Sequence, residues 1–170
     1  MDRRAVHEQW ERDRATFHAL VAAATADDLR RPSRGTRWTN QQLLFHMIFG
    51  YQVVRALQVL VRVFGRLPDP VSRGFARALD AGTVPFDVVN YLGSCGGGML
   101  APRWMAWWFD RIIASLHRSL DHASDADVGR GMHYPARWDP FFAPYMTLAD
   151  VYRYPARHFA FHQQQLTLGA

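Results

Sequence analysis

Apolar residues recur at helical spacing along four long segments of this sequence, and this periodicity limits the fold more than any other feature. Residues three and four apart lie on one face of an α-helix, so each segment carries an apolar stripe that must be buried. No alternating run is long enough to predict a sheet. We predict an all-α four-helix bundle whose helices cover about Asp2–Ala24, Thr39–Phe64, Arg103–His122 and Thr147–Leu166.

Two capping patterns locate the starts of the second and fourth predicted helices. Thr39 is followed three residues later by Gln42, and Thr147 by Asp150. In a capping box, the threonine hydroxyl accepts the backbone N–H of the residue three positions on. The side chain of that residue in turn accepts the backbone N–H of the threonine. Within the fourth segment, Pro155 predicts a kink or a restart of the helix, because proline has no N–H to donate.

The connection between the second and third predicted helices, Leu67–Pro102, is long and rich in glycine and proline. We expect short helical turns there and no long element. A second irregular segment is expected over Ala123–Tyr145. The sequence shows no internal repeat and no low-complexity linker, and 170 residues suit one compact unit. We therefore expect a single domain over residues 1–170.

The charge pattern argues against a nucleic-acid partner. The net charge is +5, all 20 basic residues are arginine, and they are scattered along the chain without a basic block. Binding to nucleic acid needs a concentrated basic surface. The complete preference for arginine over lysine is typical of GC-rich codon usage.

Other features of the composition favour a cytoplasmic protein. The most apolar stretch, Leu43–Phe64, contains His46, Arg55 and Arg62, so a buried helix is expected and a membrane span is not. The charged start of the chain does not resemble a secretory signal. Cys95 is the single cysteine, which excludes an internal disulfide and a cysteine-based zinc site.

The positions of three histidines carry the functional prediction. Each residue of an α-helix advances by about 100°, and His46 lies roughly 165° from the polar sector of its helix, which contains Gln52, Arg55, Gln58 and Arg62. On the fourth helix, His158, His162 and Gln165 fall within about 60° of one another and share a stripe with apolar residues. All three histidines are therefore expected to point into the bundle.

Imidazoles in an apolar interior need partners, and two explanations are open. Histidines four residues apart, joined by a third from a facing helix, could bind one divalent metal and leave a coordination position free. Alternatively, each could be an ordinary hydrogen-bonded core residue. Gln165 is a candidate for orienting a ligand or substrate, or for a core hydrogen bond.

Two motifs resemble those of the DinB-like superfamily. Trp38-Thr39, Gln42 and His46 resemble the start of that family's second helix. The sequence from His158 to Gln165, with histidines at 158 and 162 and glutamine at 165, resembles its closing H-x3-H-x2-Q signature. The motifs occur in the order and at the separation that the family shows, and the likeness spans most of the chain.

The resemblance implies a four-helix bundle that binds zinc, nickel or a similar ion through His46, His158 and His162, and it also implies a homodimer. Members with known activity are often transferases or isomerases that use a low-molecular-weight thiol. We therefore expect metal-dependent transfer of a thiol to a small-molecule electrophile, with mycothiol favoured by the GC-rich character. The alternatives are a stress-associated bundle with a structural metal, a ligand-binding stress protein without turnover, and a metal-dependent hydrolase.

A glycine-rich segment and a group of three tryptophans are explained by structure alone. Ser94-Cys95 and the glycines after them lack the residues of a phosphate-binding loop, so we expect a flexible connection with an incidental cysteine. Trp104, Trp107 and Trp108 lie at helical spacing, and we expect them to belong to the core.

Overall fold

The protein, described here by a computed structural model covering residues 1–169, is predominantly helical. The α-helices are α1 (Arg3–Ala23), α2 (Ala26–Arg30), α3 (Asn40–Phe64), α4 (Asp69–Ala81), α5 (Thr83–Gly96), α6 (Pro102–Asp121), α7 (Asp125–Gly129) and α8 (Leu148–Gln163). A 3-10 turn covers Gly97–Met99, and two short strands are β1 (Gly131–His133) and β2 (Tyr145–Thr147).

The four long helices α1, α3, α6 and α8 form a bundle. Helix α3 packs against α8 and α6, and α1 packs against α6 and α8. Each helix contributes large side chains to one buried core: Trp10 and Phe17 from α1, Tyr51 from α3, Phe109 from α6 and Phe159 from α8. Burying a side chain of this size contributes about 1.5–3 kcal/mol. The predicted all-α four-helix bundle is confirmed.

Both predicted capping boxes are present. The Thr39 N–H donates to Gln42 Oε1 at 2.9 Å, and the Thr147 N–H donates to Asp150 Oδ2 at 2.9 Å. Helix α8 runs without a break through Pro155, so of the two predicted outcomes the restart is wrong, and the kink stays a prediction. The capping threonines therefore fix where the two histidine-bearing helices begin.

The expectation of an irregular Leu67–Pro102 connection is wrong for most of its length. It contains α4, of 13 residues, and α5, of 14 residues. Pro70 is the second residue of α4 and Pro85 is the third of α5. The first four N–H groups of a helix have no acceptor within it, so proline costs little there. These prolines mark helix starts, and Gly82 separates the two helices.

The segment Ala123–Tyr145 is also more ordered than expected. It begins with α7, and β1 then pairs antiparallel with β2, placing Met132 opposite Met146. The loop between the strands lies against α8, where the Phe142 ring is 5.0 Å from the Tyr154 ring. This loop reaches the side of α8 that carries the histidines.

One residue of the predicted polar face of α3 is buried. Gln58 accepts a hydrogen bond from the Tyr152 hydroxyl at 3.2 Å and another from Ser119. The amide is buried because two hydroxyls from neighbouring helices satisfy it. Helical spacing alone does not reveal such partners.

Among the described residues, α3 is the one helix long and apolar enough to cross a membrane. Half of the most apolar 18-residue stretch of α3 is buried inside the protein, as is usual for the core helix of a bundle. The buried residues of α3 belong to the same core as those of the other long helices. A cytoplasmic location stays a prediction.

Candidate metal centre

Three buried histidines meet inside the bundle. His46 comes from α3, and His158 and His162 come from successive turns of α8. One ring nitrogen from each lies within 4.8 Å of the others. The ring centroids are 4.9 Å apart for His46 and His158, 4.7 Å for His46 and His162, and 4.5 Å for His158 and His162. The inward orientation predicted from helical rotation is confirmed.

The spacing of the nitrogens fits a shared metal ion. The Nε2 atoms of His46 and His158 are 3.2 Å apart. Two imidazole nitrogens bound to one tetrahedral zinc at 2.0–2.1 Å would be separated by about 3.3 Å. The same separation also fits a hydrogen bond between the two rings when no metal is bound, and one ring nitrogen of His162 lies within 4.8 Å of both.

A serine from α5 fixes the protonation of His46. The Ser94 hydroxyl donates to the Asn90 carbonyl at 2.9 Å, and Ser94 Oγ lies 3.0 Å from His46 Nδ1. With its hydroxyl proton on the Asn90 carbonyl, Oγ can accept the proton on Nδ1 of His46. The Nε2 atom of His46 therefore keeps its lone pair, which faces the other two histidines.

Gln165 performs the same role for His162. Its Oε1 atom lies 2.7 Å from His162 Nδ1. An amide oxygen only accepts, so Nδ1 of His162 carries the proton and Nε2 is free to bind a metal. Hydrogen bonds of this kind set the tautomer and the ring orientation of metal-binding histidines. Gln165 thus occupies the orienting position considered from the sequence.

His158 lacks such a partner within residues 1–169. Its Nδ1 atom is buried and makes no hydrogen bond. The ring lies against Gly50 of α3, where an added Cβ would be 2.4 Å from Nδ1. A buried polar atom without a partner costs about 1–3 kcal/mol. The Nδ1 atom of His158 thus faces α3 at Gly50, while its Nε2 atom lies near Nε2 of His46.

Burial keeps all three imidazoles neutral at physiological pH. Desolvation, and secondarily the nearby His162, lowers the pKa of His46 from 6.5 to about 3. Desolvation and the two neighbouring imidazoles lower the pKa of His158 well below its ordinary value. Desolvation also lowers the pKa of His162, against the opposing effect of its bond to Gln165. Neutral imidazole is the form that binds metal.

No carboxylate or thiol within residues 1–169 joins the three histidines as a potential ligand. Two acidic residues of α1 have partners elsewhere. Asp13 accepts hydrogen bonds from Tyr51 and Gln9, and Glu8 pairs with Arg4. Three protein ligands leave one tetrahedral position open, as in catalytic zinc sites.

A cavity of about 290 Å³ adjoins the cluster. The Trp38 ring, from the first sequence motif, lies 4.5 Å from the His46 ring and forms part of its wall. Most of the remaining wall is aromatic or aliphatic. Besides the histidines, it is lined by Trp38, Phe49, Gly50, Val53, Leu57, Phe86, Asn90, Trp138, Asp139, Pro140, Phe141, Phe142, Tyr154 and Phe161.

The sequence did not indicate several residues that shape this site. The prediction of a flexible connection at Ser94 is wrong, because Ser94 is a buried residue of α5. Gly50 faces His158 one turn after His46, a spacing that could have identified it. Trp104 and Trp107 are half exposed, so the core prediction is wrong for both. Trp108 packs against the core, as predicted.

Comparison with known proteins identifies the family. The profile of the DinB superfamily matches residues 9–166, which include all three histidines and Gln165. No curated protein and no solved structure matches the chain. The match covers most of the sequence, and the family resemblance noted from the two motifs is thereby confirmed. The chain belongs to the DinB superfamily.

Proposed function

We propose that the protein binds one divalent metal ion through Nε2 of His46, His158 and His162. The donor set supports this assignment, since neutral imidazoles are suitable ligands for zinc and nickel, as they are for copper and iron. The 3.2 Å separation of two Nε2 atoms supports it as well. The hydrogen bonds of His46 and His162 leave their Nε2 atoms free for a metal.

We further propose that the site is catalytic and uses a low-molecular-weight thiol such as mycothiol, as a transferase or an isomerase. The observation that carries this proposal is the cavity beside a cluster of three ligands. A metal there would supply a Lewis acid that lowers the pKa of an incoming thiol and keeps it as the nucleophilic thiolate. A structural metal needs neither an open position nor a cavity.

The residues of the chain supply the binding and the orientation. His46 and His162 are held by Ser94 and Gln165, so their rings are already directed before a ligand enters. The largely aromatic wall suits an electrophile with an apolar body. Exclusion of water would protect a reactive substrate from hydrolysis.

The reaction balances without an external oxidant or reductant. In transfer, the thiol loses its proton to solvent, sulfur forms a bond to the electrophilic carbon, and the leaving group departs with the electron pair of the broken bond and takes up a proton from solvent. In isomerisation, sulfur adds to a carbon–carbon double bond, the resulting single bond rotates, and the same sulfur–carbon bond breaks. The second reaction regenerates the thiol.

A screen of metal-loaded protein tests this activity. Mycothiol, bacillithiol and glutathione would each be incubated with a panel of small electrophiles and unsaturated acids. Mass spectrometry would detect thiol conjugates, and chromatography would detect isomerised acids. We expect turnover with one thiol in the parent and none in His158→Ala. Absence of turnover with every thiol, in a protein that holds one metal per chain, would favour a structural metal instead.

We also propose that the protein forms a homodimer through the outer face of α5. Val84, Val88, Val89 and Leu92 on this helix are each more than half exposed. Exposed apolar groups of this kind are typical of interaction surfaces. Light scattering should give twice the chain mass for the parent and the single chain mass for the double variant Val88→Glu, Leu92→Glu. A monomeric parent would contradict the proposal.

A further inference from the structure

One acidic side chain, Asp139, lines the cavity together with the histidines. It belongs to the loop between β1 and β2, whereas the histidines come from α3 and α8. Most of the surrounding wall is aromatic or aliphatic. A carboxylate in such surroundings is expensive unless a partner compensates its charge.

The carboxylate of Asp139 is held in a fixed orientation. Its Oδ1 accepts the Phe141 N–H at 2.8 Å, and its Oδ2 accepts the Tyr154 hydroxyl at 2.7 Å. Tyr154 lies one turn before His158 on α8, and their rings are 5.7 Å apart. A carboxylate has about four acceptor positions, so two positions remain after these bonds.

No cationic side chain compensates Asp139 within residues 1–169. Burial raises the pKa of its carboxyl group, and the opposing interactions come from neutral donors, the Phe141 N–H and the Tyr154 hydroxyl. A protonated amine on a ligand would supply the missing charge and take the remaining acceptor positions. The free energy lost in burying the carboxylate would then be recovered when the ligand binds.

The wall near Asp139 suits an aromatic, cationic ligand. The neighbouring residue Trp138 stacks on Phe86 of α5 with ring centroids 4.0 Å apart. The Phe141 ring lies 5.6 Å from the Phe161 ring on the same cavity wall. Aromatic faces attract ammonium groups and pack against flat apolar bodies.

We propose that Asp139 is a specificity-determining residue that selects substrates carrying a protonated amine on a small, largely aromatic body. This inference rests on the proposed function in one respect, namely that the ligand of the cavity is the substrate. It adds the chemical class of that substrate. The three histidines would face the reactive end of the molecule, and Asp139 would bind its amine.

The test compares two ligands of nearly equal shape, benzylammonium and ethylbenzene, on the protein as purified. Titration followed by amide NMR gives both affinities, and the Phe141 amide reports directly on Asp139. The key variant is Asp139→Asn, which keeps an acceptor for that amide and removes the charge. The control is Asp125→Asn, an exposed carboxylate on α7. A second variant, Tyr154→Phe, removes one hydrogen bond that orients the carboxylate.

We expect benzylammonium to bind the parent at least about tenfold more tightly than ethylbenzene, as a charge-assisted hydrogen bond provides. Asp139→Asn should abolish this preference, Tyr154→Phe should reduce it, and Asp125→Asn should keep it. Equal affinity for the two ligands in the parent, no binding of either, or a preference that survives in Asp139→Asn would each overturn the inference. None of these measurements requires a bound metal. The proposal of a metal site and the inference about Asp139 can therefore fail independently of each other.

Discussion

The Ser94 hydroxyl of α5 forms a hydrogen bond with Nδ1 of His46 of α3 across 3.0 Å. This bond joins the segment between α3 and α6 to the centre of the bundle. The polar residues Asn90 and Ser94 face the site, while Val88 and Leu92 of the same helix are exposed. Helix α5 therefore directs Asn90 and Ser94, together with Phe86, towards the cavity and the histidine cluster.

Removal of the Ser94 hydroxyl should weaken metal binding. In Ser94→Ala, the His46 ring loses the acceptor that fixes its tautomer, and we expect metal affinity to fall roughly 10–100-fold. Competition with a coloured chelator would measure the affinity. Ser72→Ala is the matched control, since Ser72 is also a buried helical serine that donates to a backbone carbonyl but lies in α4. An equal loss in both variants would contradict the assigned role.

A methyl group at Gly50 should displace His158. The added Cβ of Gly50→Ala would lie 2.4 Å from His158 Nδ1, so the buried ring must move. We expect loss of most bound metal and destabilisation of about 1–3 kcal/mol. Gly74→Ala on α4 is the control, because nothing lies within 4 Å of its added Cβ and alanine favours a helix. Normal metal content in Gly50→Ala would show that His158 is not needed at its present position.

A carboxylate in place of Gln165 should strengthen the site. The His162 Nδ1 proton would then be accepted by a charged oxygen, which makes Nε2 of His162 a stronger donor to a metal. We expect Gln165→Glu to bind metal more tightly than the parent and Gln165→Ala to bind it about tenfold more weakly. Gln164→Glu adds the same charge one residue away on an exposed side chain. Equal strengthening by Gln164→Glu would point to general charge rather than to the hydrogen bond.

The metal-free protein should lose stability as the pH falls below 6.5. His46 has its ordinary pKa of 6.5 in the unfolded chain and a pKa of about 3 when folded, so in this window the unfolded state binds the additional proton. The contribution of neutral His46 is thus complete above pH 6.5 and is lost as the pH falls towards 3. At pH 5, the expected loss of unfolding free energy from His46 alone is about 2 kcal/mol.

Urea unfolding with a chelator at pH 7 and pH 5 would measure this loss in the parent and in His46→Gln. Burial raises the pKa of the carboxyl groups of Asp13 and Asp139, which act in the opposite direction in both proteins. The difference in unfolding free energy between parent and variant therefore reports His46 together with its effect on the pKa of His158, while His162, whose pKa shift does not include His46, acts alike in both proteins. A difference that is the same at both pH values would disprove the burial of a neutral imidazole.

The bundle and the histidine cluster were predictable because both depend on local rules. Capping residues such as Thr39 and Thr147 define helix starts, and rotation along each helix directs His46, His158 and His162 inward. These inferences need no knowledge of how distant segments meet. They also explain why the family motifs, although short, are informative.

The rest of the site depends on contacts between distant segments. Ser94 meets His46 across 48 positions of sequence, and Asp139 reaches the cavity through a loop whose path no periodicity describes. The prolines of α4 and α5 were misleading because proline both breaks helices and starts them, and spacing alone does not separate these roles. Local patterns therefore indicated the candidate metal ligands and Gln165, and tertiary packing adds Ser94 and Asp139.

Elemental analysis of protein purified without a histidine tag tests the central claim most directly. We expect one zinc or nickel ion per chain in the parent, none in His158→Ala, and an unchanged content in His122→Ala, which alters an exposed histidine outside the cluster. A parent without metal, or a His158→Ala variant that retains it, would contradict the account.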